Sequence, residues 1–316
     1  MPFHDKYIYL NSNSKGNHKI FAKKTIKTNW HIYIINLMYF CNPKKTQVVL
    51  KEIGDFLLNT PVYSPQMILI LIVTGIFVGF VNTLAGMATA LSYALFMAMG
   101  MPINVANGTS RVGVLAQFAV SSFLFKKKGY LDTNLATKTG IPIALGSIAG
   151  AQLAAMVNTS IMEVIMGLTL PAMAILLLIN KKKGSAGIKE GSPGVKRLSF
   201  FKFIAFALIG AYGGFTHAGV GILILFGGVY MLGLDLMKAN GIKQFAVLLY
   251  TPLALFVFIW HQQVNWLVAA IYAAGNVTGA VIASKVAVKW GVKIINVVIA
   301  IAVFAMSFWL IYKQFI

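Results

Sequence analysis

The chain has 316 residues, of which 58% are hydrophobic and 11% are charged, and its mean hydropathy is +0.78. Soluble domains carry about 25% charged residues, so the composition excludes a soluble protein and predicts an all-α polytopic membrane protein. The net charge of +20 comes from basic residues that lie between apolar segments, where such residues orient helices. We therefore expect the lipid bilayer, and no nucleic acid, as a partner. The single cysteine, Cys41, excludes an intramolecular disulfide and a multi-thiolate metal site.

Residues 1–65 differ from the rest of the chain. They are rich in lysine and asparagine, and their apolar run from Trp30 to Cys41 is shorter than the ~20 residues that span a bilayer. The run lacks the cleavage pattern of a signal peptide. We expect a disordered or interfacial N-terminal extension, with a start near Met67 as an alternative.

From residue 66 onward the sequence contains ten hydrophobic segments, which we expect to give about 8–10 membrane segments. The first repeat, residues 66–180, contains Gln66–Thr83, Met87–Gly100, Val105–Phe125, Asn134–Val157 and Ile161–Asn180. The second repeat, residues 203–316, contains Phe203–Thr216, Gly219–Gly233, Gln244–Trp260, Asn265–Ser284 and Ile294–Tyr312. The loop 181–202 between them carries seven basic residues, and we expect it to be cytoplasmic.

Matching interruptions occur in the two halves. The first half reads G-F-V-N-T-L-A-G from Gly79 to Gly86, and the second reads G-F-T-H-A-G-V-G from Gly214 to Gly221. An A-N-G tripeptide follows each, and a G-x-x-x-G pair later in each half predicts close helix packing. Small, polar and glycine residues inside apolar stretches predict glycine-broken helices. Duplicated interruptions of this kind indicate a transporter whose site lies between two homologous halves.

The distribution of loop lysines favours inverted repeats. In the first half, three lysines at 126–128 follow the third segment, whereas the matching loop 261–264 has none. In the second half, Lys285, Lys289 and Lys293 follow the fourth segment instead. Because lysine-rich loops stay in the cytoplasm, the two halves are expected to insert in opposite orientations. If the two short segments that begin each half cross the membrane only once, the halves would instead be parallel.

Charged and polar residues inside the apolar region mark the candidate substrate site. Arg111 lies about one turn after the start of the first A-N-G and aligns with Gln244 in the second half, whereas Lys243 aligns with Ser110, so both halves carry a cation just after A-N-G. Two cations facing each other would bind an oxyanion, and the N–H groups at a helix start would help. The alternative for Arg111 is a side chain that reaches the membrane interface. The further candidate ligands are Asn82, Gly86, Asn107, Gly221, Asn240 and Gln244.

His217 is the histidine of the spanning region and the candidate proton carrier, because an imidazole gains and loses a proton near neutral pH. The alternative is a neutral histidine that is hydrogen-bonded to the backbone. The sequence lacks the Cys/His clusters, paired carboxylates, nucleophile elbow and P-loop of enzymes. We therefore predict no enzymatic activity, no cofactor and no metal site.

The duplicated motifs resemble those of a known family in their order and spacing. The motifs of the first half are G-F-V-N-T-L-A-G, A-N-G-T-S-R-V and F-K-K-K-G-Y-L-D. The motifs of the second half are Y-G-G-F-T-H-A-G-V-G, L-G-L-D-L, K-A-N-G-I-K and Q-V-N-W. From about residue 66 to the C-terminus the chain resembles the sulfite exporter TauE/SafE family of bacterial membrane permeases. That family continues the first break as G-x-G-G-G, whereas this chain reads Gly86-Met87-Ala88-Thr89-Ala90, which predicts a more regular first break.

The resemblance implies transport of small anions, in characterised members mostly sulfite or organosulfonates. We therefore expect a multi-pass secondary transporter of a small oxyanion in the cell inner membrane, working by alternating access. An ion gradient, a proton gradient or the substrate's own gradient would drive it, because the sequence has no ATP-binding motif. A homo-oligomer is compatible with the sequence, but no residue pattern singles out an interface. The alternative is a non-transporting polytopic protein that acts as an assembly or interaction partner.

Overall fold

The computed structural model describes residues 43–162, 164–165 and 198–290. The chain divides into two compact units, residues 1–49 and 50–316, and the fold and site described below belong to the second. The predicted segment Ile294–Tyr312, most of Ile161–Asn180 and most of the loop 181–202 lie outside the described residues.

The described part of the chain is helical throughout. Its helices are α1 (Pro43–Asn59), α2 (Pro65–Leu84), α3 (Thr89–Ala98), α4 (Ile103–Lys127), α5 (Thr133–Met156), α6 (Phe200–Phe215), α7 (Val220–Phe226), α8 (Leu236–Trp260) and α9 (Trp266–Trp290). A π-helical turn, Gly227–Met231, continues α7. Among the described helices, α2, α5, α8 and most of α9 are long and apolar enough to cross a membrane, while α3, α6 and α7 with its π turn are shorter. The all-α membrane fold is therefore confirmed.

Helix α1 occupies residues 43–59, within the N-terminal extension. Helix α8 begins at Leu236, eight residues before the predicted apolar segment Gln244–Trp260, because the Asp235 side chain accepts a hydrogen bond from the Lys238 amide at 2.9 Å. Such a cap stabilises a helix start. Asp132 caps α5 in the same way through the Leu135 amide.

The burial pattern differs from that of a soluble protein. Large apolar side chains such as Phe77 on α2 and Phe256 on α8 point outward. Arg111, Lys243 and Gln244 are completely buried. Only lipid accommodates an apolar surface of this kind. The chain is therefore a multi-pass membrane protein.

Glycines bring helices of the two halves together, since α2 packs on α9 and α5 packs on α6. Gly75 and Gly79 on α2 pack on α9, where a Cβ at Gly75 would lie 2.6 Å from the Tyr272 carbonyl oxygen. On the other side, Gly146 and Gly150 on α5 pack on α6, where a Cβ on either would overlap a backbone carbonyl. The predicted role of the G-x-x-x-G pairs in close helix packing is confirmed.

The contacts between helices also show whether each packed pair runs parallel or antiparallel. Gly75 lies beside Gly275 and Gly79 beside Asn276, so α2 and α9 run parallel. The α5 and α6 helices also run parallel, because the residues of α6 that meet Gly146 and Gly150 follow in the same order. By contrast, α4 and α8 are antiparallel, since Arg111 stacks on Phe258 and Ser121 bonds to Gln244.

We predict that Gly150→Ala destabilises the protein, because the added methyl group would overlap the Ala211 carbonyl oxygen and force α5 away from α6. Overpacking of this kind costs about 1–3 kcal/mol. The measurement is the thermal unfolding midpoint of the detergent-purified protein. Gly54→Ala is the matched control, because that helical position has open space, and its midpoint should stay or rise. An unchanged midpoint for Gly150→Ala would contradict the packing described here.

Candidate functional site

Two short gaps between helices, which we call the interruptions, meet in the structure. Helix α2 ends at Leu84 and α3 begins at Thr89, while α6 ends at Phe215 and α7 begins at Val220. Gly86 and Gly219 both have φ near +80°, a conformation that glycine adopts at little cost. They lie 133 residues apart, the same spacing as the two A-N-G tripeptides. A Cβ on Gly86 would lie 2.5 Å from the Gly221 Cα, so the two interruptions touch through their backbones.

Asn82, a predicted ligand, closes the turn between α2 and α3. Its Oδ1 accepts from the Ala88 amide at 2.6 Å, and its Nδ2 donates to Thr89 Oγ1 at 2.8 Å. Thr89 stands where the family pattern has a glycine, and its hydroxyl fixes Asn82 in place. Both ends of the Asn82 amide are therefore already hydrogen-bonded within the protein.

Arg111 binds the carbonyl end of α6. Its Nη2 donates to the Gly214 carbonyl at 2.6 Å and to the Gly213 carbonyl at 3.2 Å, and its Nε donates to Asn107 Oδ1 at 3.2 Å. The guanidinium carbon lies 4.8 Å from the centre of the Phe258 ring. Because the side chain is completely buried, the alternative of an arginine at the membrane interface is wrong. Among the described residues, Nη1 has no hydrogen-bond partner.

A chain of hydrogen bonds connects Arg111 to His217. Asn107 accepts from the Tyr93 hydroxyl at 3.1 Å, and that hydroxyl accepts from the His217 amide at 3.2 Å. The imidazole Nδ1 of His217 lies 2.5 Å from the Tyr250 hydroxyl. We call Arg111, Asn107, Tyr93, His217 and Tyr250 the arginine cluster. Its members come from both halves, so the cluster joins them.

Lys243 binds the carbonyl end of α2 in a corresponding way. Its Nζ donates to the Thr83 carbonyl at 2.8 Å and to the Asn82 carbonyl at 3.1 Å. Gln244 Nε2 donates to the Thr83 carbonyl at 2.7 Å and to Asn240 Oδ1 at 3.0 Å. We call Lys243, Gln244, Asn240 and Thr83 the lysine cluster. In both halves, the cation after A-N-G therefore holds a helix end of the other half.

The two cations do not face each other as the sequence suggested. Arg111 and Ser121 lie ten residues apart on α4, which is about 15 Å of helical rise, and Ser121 donates to Gln244 beside Lys243. Each cation is instead engaged by carbonyl groups, because α2 and α6 end inside the protein and their last carbonyls need donors.

The interior around Arg111 carries excess positive charge. In the described ranges, the carboxylates Glu52, Asp55, Asp132 and Asp235 lie in α1 or at helix starts, and the ion pair found there is Lys238–Asp235 at 3.6 Å. The end of a helix contributes only about half a negative charge. The guanidinium of Arg111 is therefore not neutralised by the groups around it.

Sequence reasoning missed Tyr93 and Tyr250, because no local pattern links either of them to the polar residues. Both are buried, and a hydroxyl in an apolar environment needs a hydrogen-bond partner. That requirement is the signal that could have linked them to the polar residues. Which partner each one finds depends on the tertiary fold.

We predict that Asn107→Ala destabilises the protein, because it removes the partners of Arg111 Nε, of the Tyr93 hydroxyl and of the Phe215 carbonyl. Each buried group left without a partner costs about 1–3 kcal/mol. The thermal unfolding midpoint measures the loss. The exposed Asn59→Ala is the control and should unfold close to the wild type. Equal midpoints for the two variants would show that the arginine cluster contributes little to stability.

Comparison with known proteins gives a family match over most of the chain. The model described as "Sulfite exporter TauE/SafE" matches residues 71–310. A "Probable membrane transporter protein" of Haemophilus influenzae is 24% identical over 79% of this chain and 96% of its own length. The "Probable membrane transporter protein ORF9" of Sinorhizobium sp is 26% identical over 75% of this chain and 89% of its own length. The "Probable membrane transporter protein YfcA" of Escherichia coli K12 is 23% identical, covering 79% and 92%. No solved structure matches the chain.

Proposed function

Because the chain belongs to the sulfite exporter TauE/SafE family, we propose that it moves a small oxyanion, such as sulfite or an organosulfonate, across the cell inner membrane. The curated relatives bear the name of probable membrane transporters, and the chain is a membrane transporter rather than an enzyme. We propose that transport is secondary and proceeds by alternating access.

One observation carries the choice of an anion as the substrate. Arg111 is completely buried, touches no carboxylate among the described residues, and keeps Nη1 without a partner. A guanidinium stays protonated and pairs well with the oxygens of an oxyanion. An anion entering this interior would supply both the missing charge and the missing acceptor.

We propose that the substrate site lies beside the contact of the two interruptions. Arg111 and Asn107 line it, and the lysine cluster, further along α4 and α8, adds positive charge to the same interior. The backbones of Gly86 and Gly221 let the two halves approach at this point, and Asn82 holds the first interruption in shape. His217, which contacts Tyr250 within the arginine cluster, is the proposed proton carrier.

We further propose that the halves, residues 66–180 and 203–316, are inverted repeats joined by the cytoplasmic loop 181–202. The helix directions support this proposal. Helices α4 and α8 carry corresponding motifs and run antiparallel, and α2 and α6 pack in parallel on α9 and α5 of the other half. Rocking of one half against the other around the two clusters would give alternating access.

We predict that a matching oxyanion stabilises the detergent-purified protein. A ligand at 100 times its Kd adds ~2.7 kcal/mol to the free energy of unfolding. A thermal-shift screen of sulfite, sulfate, sulfoacetate, taurine, acetate and phosphate measures this, with Arg111→Gln beside the wild type. We expect one class of anion to raise the unfolding midpoint of the wild type and not that of Arg111→Gln.

The control for this screen is Lys127→Gln, which removes a cation from an exposed position of the same helix and should respond like the wild type. If no anion raises the wild-type midpoint, or if Arg111→Gln responds equally, Arg111 is not the anion ligand. The non-transporting role as an assembly partner predicts that outcome.

We predict that His217→Gln abolishes accumulation of the anion driven by a pH gradient. Glutamine still forms a hydrogen bond, but its side chain does not gain or lose a proton near neutral pH. Exchange of anion between the two sides of the membrane should continue. Uptake of radiolabelled sulfite into proteoliposomes measures both, with His261→Gln at the end of α8 as the control. Accumulation that persists in His217→Gln would assign proton coupling to another group.

A further inference from the structure

Tyr250 is a buried hydroxyl beside the proposed anion site. It lies on α8 and is completely buried. A Cβ on Gly213 would lie 3.2 Å from its hydroxyl oxygen, and Arg111 Nη2 donates to the Gly213 carbonyl at 3.2 Å. The Tyr250 hydroxyl and the guanidinium therefore border the same residue.

Arg111 Nη1 needs an acceptor that the described residues do not provide. It is buried and unpartnered, whereas Nη2 and Nε are bound to carbonyl oxygens within the protein. A negatively charged oxygen would form a stronger hydrogen bond to it than a neutral acceptor. An oxyanion bound here would have further oxygens available for a second donor.

The Tyr250 hydroxyl can become that second donor. When His217 Nδ1 carries a hydrogen, it donates to the Tyr250 oxygen, and the hydroxyl hydrogen is free to point elsewhere. When Nδ1 carries none, Tyr250 donates to His217 instead. His217 gains the hydrogen at Nδ1 by taking up a proton, or by tautomerisation in which Nε2 releases its own, and the hydrogen bond to Tyr250 then reverses its direction.

We propose that Tyr250 is a direct ligand of the transported oxyanion and donates its hydroxyl hydrogen to one oxygen while Arg111 Nη1 binds another. This inference rests on the proposed function. It names the ligand class as anions with at least two oxygens on one centre, such as sulfite, sulfonates and carboxylates. Arg111 belongs to the first half and Tyr250 to the second, so the anion bridges the two halves.

The matched variants are Tyr250→Phe and Tyr272→Phe in the full chain. Each removes one buried hydroxyl and keeps the ring, and the Tyr272 hydroxyl pairs with Ser92 rather than with the arginine cluster. Sulfite affinity is measured by calorimetric titration, and the unfolding midpoint is measured without anion. We expect Tyr250→Phe to bind sulfite roughly 10- to 100-fold more weakly, the factor for losing one hydrogen bond to a charged group. Tyr272→Phe should bind like the wild type.

A second variant keeps the test decisive if Tyr250→Phe does not fold. A fluorinated tyrosine at position 250 makes the hydroxyl a stronger donor and should tighten sulfite binding. Wild-type affinity in Tyr250→Phe or in the fluorinated protein overturns the role of Tyr250 and leaves the proposed function in place. If the wild type binds no anion of the panel, the proposed function itself fails.

Discussion

A helix that ends inside a membrane leaves carbonyl groups without hydrogen-bond partners, and in lipid no water reaches them. Helices α2 and α6 both end among buried residues of the protein, which satisfies their last carbonyls with Lys243 and Arg111. Each cation comes from the other half of the chain. The interruptions, the clusters and the association of the halves all depend on this exchange of donors.

The glycines contribute to the same arrangement by allowing helices of the two halves to pack closely. Gly75 and Gly79 hold α2 close to α9, and Gly146 and Gly150 hold α5 close to α6. Without a hydrophobic driving force between helices in lipid, such close packing supplies much of the attraction. It also places the helix ends where Arg111 and Lys243 reach them.

The apolar helices, the close packing at the G-x-x-x-G pairs and the burial of Arg111 could be predicted from sequence, because each has a local pattern. The hydrogen bonds from Arg111 and Lys243 to the helix ends could not be predicted, because their carbonyl partners lie more than 100 residues away in the chain. From the sequence we expected the two cations to face an anion. The sequence does not show that each cation donates hydrogen bonds to the carbonyl groups of a helix end. Tyr250 was missed for the same reason, because its partner His217 is brought to it only by the fold.

The hydrogen bond between Lys243 and the Thr83 carbonyl joins residues 160 positions apart in the chain. During synthesis at about 5–20 residues per second, this separation corresponds to roughly 10–30 s. Throughout that interval the end of α2 lacks the donor that it has in the finished protein. The first half therefore completes its hydrogen bonds only after the second half has been synthesised as far as Lys243.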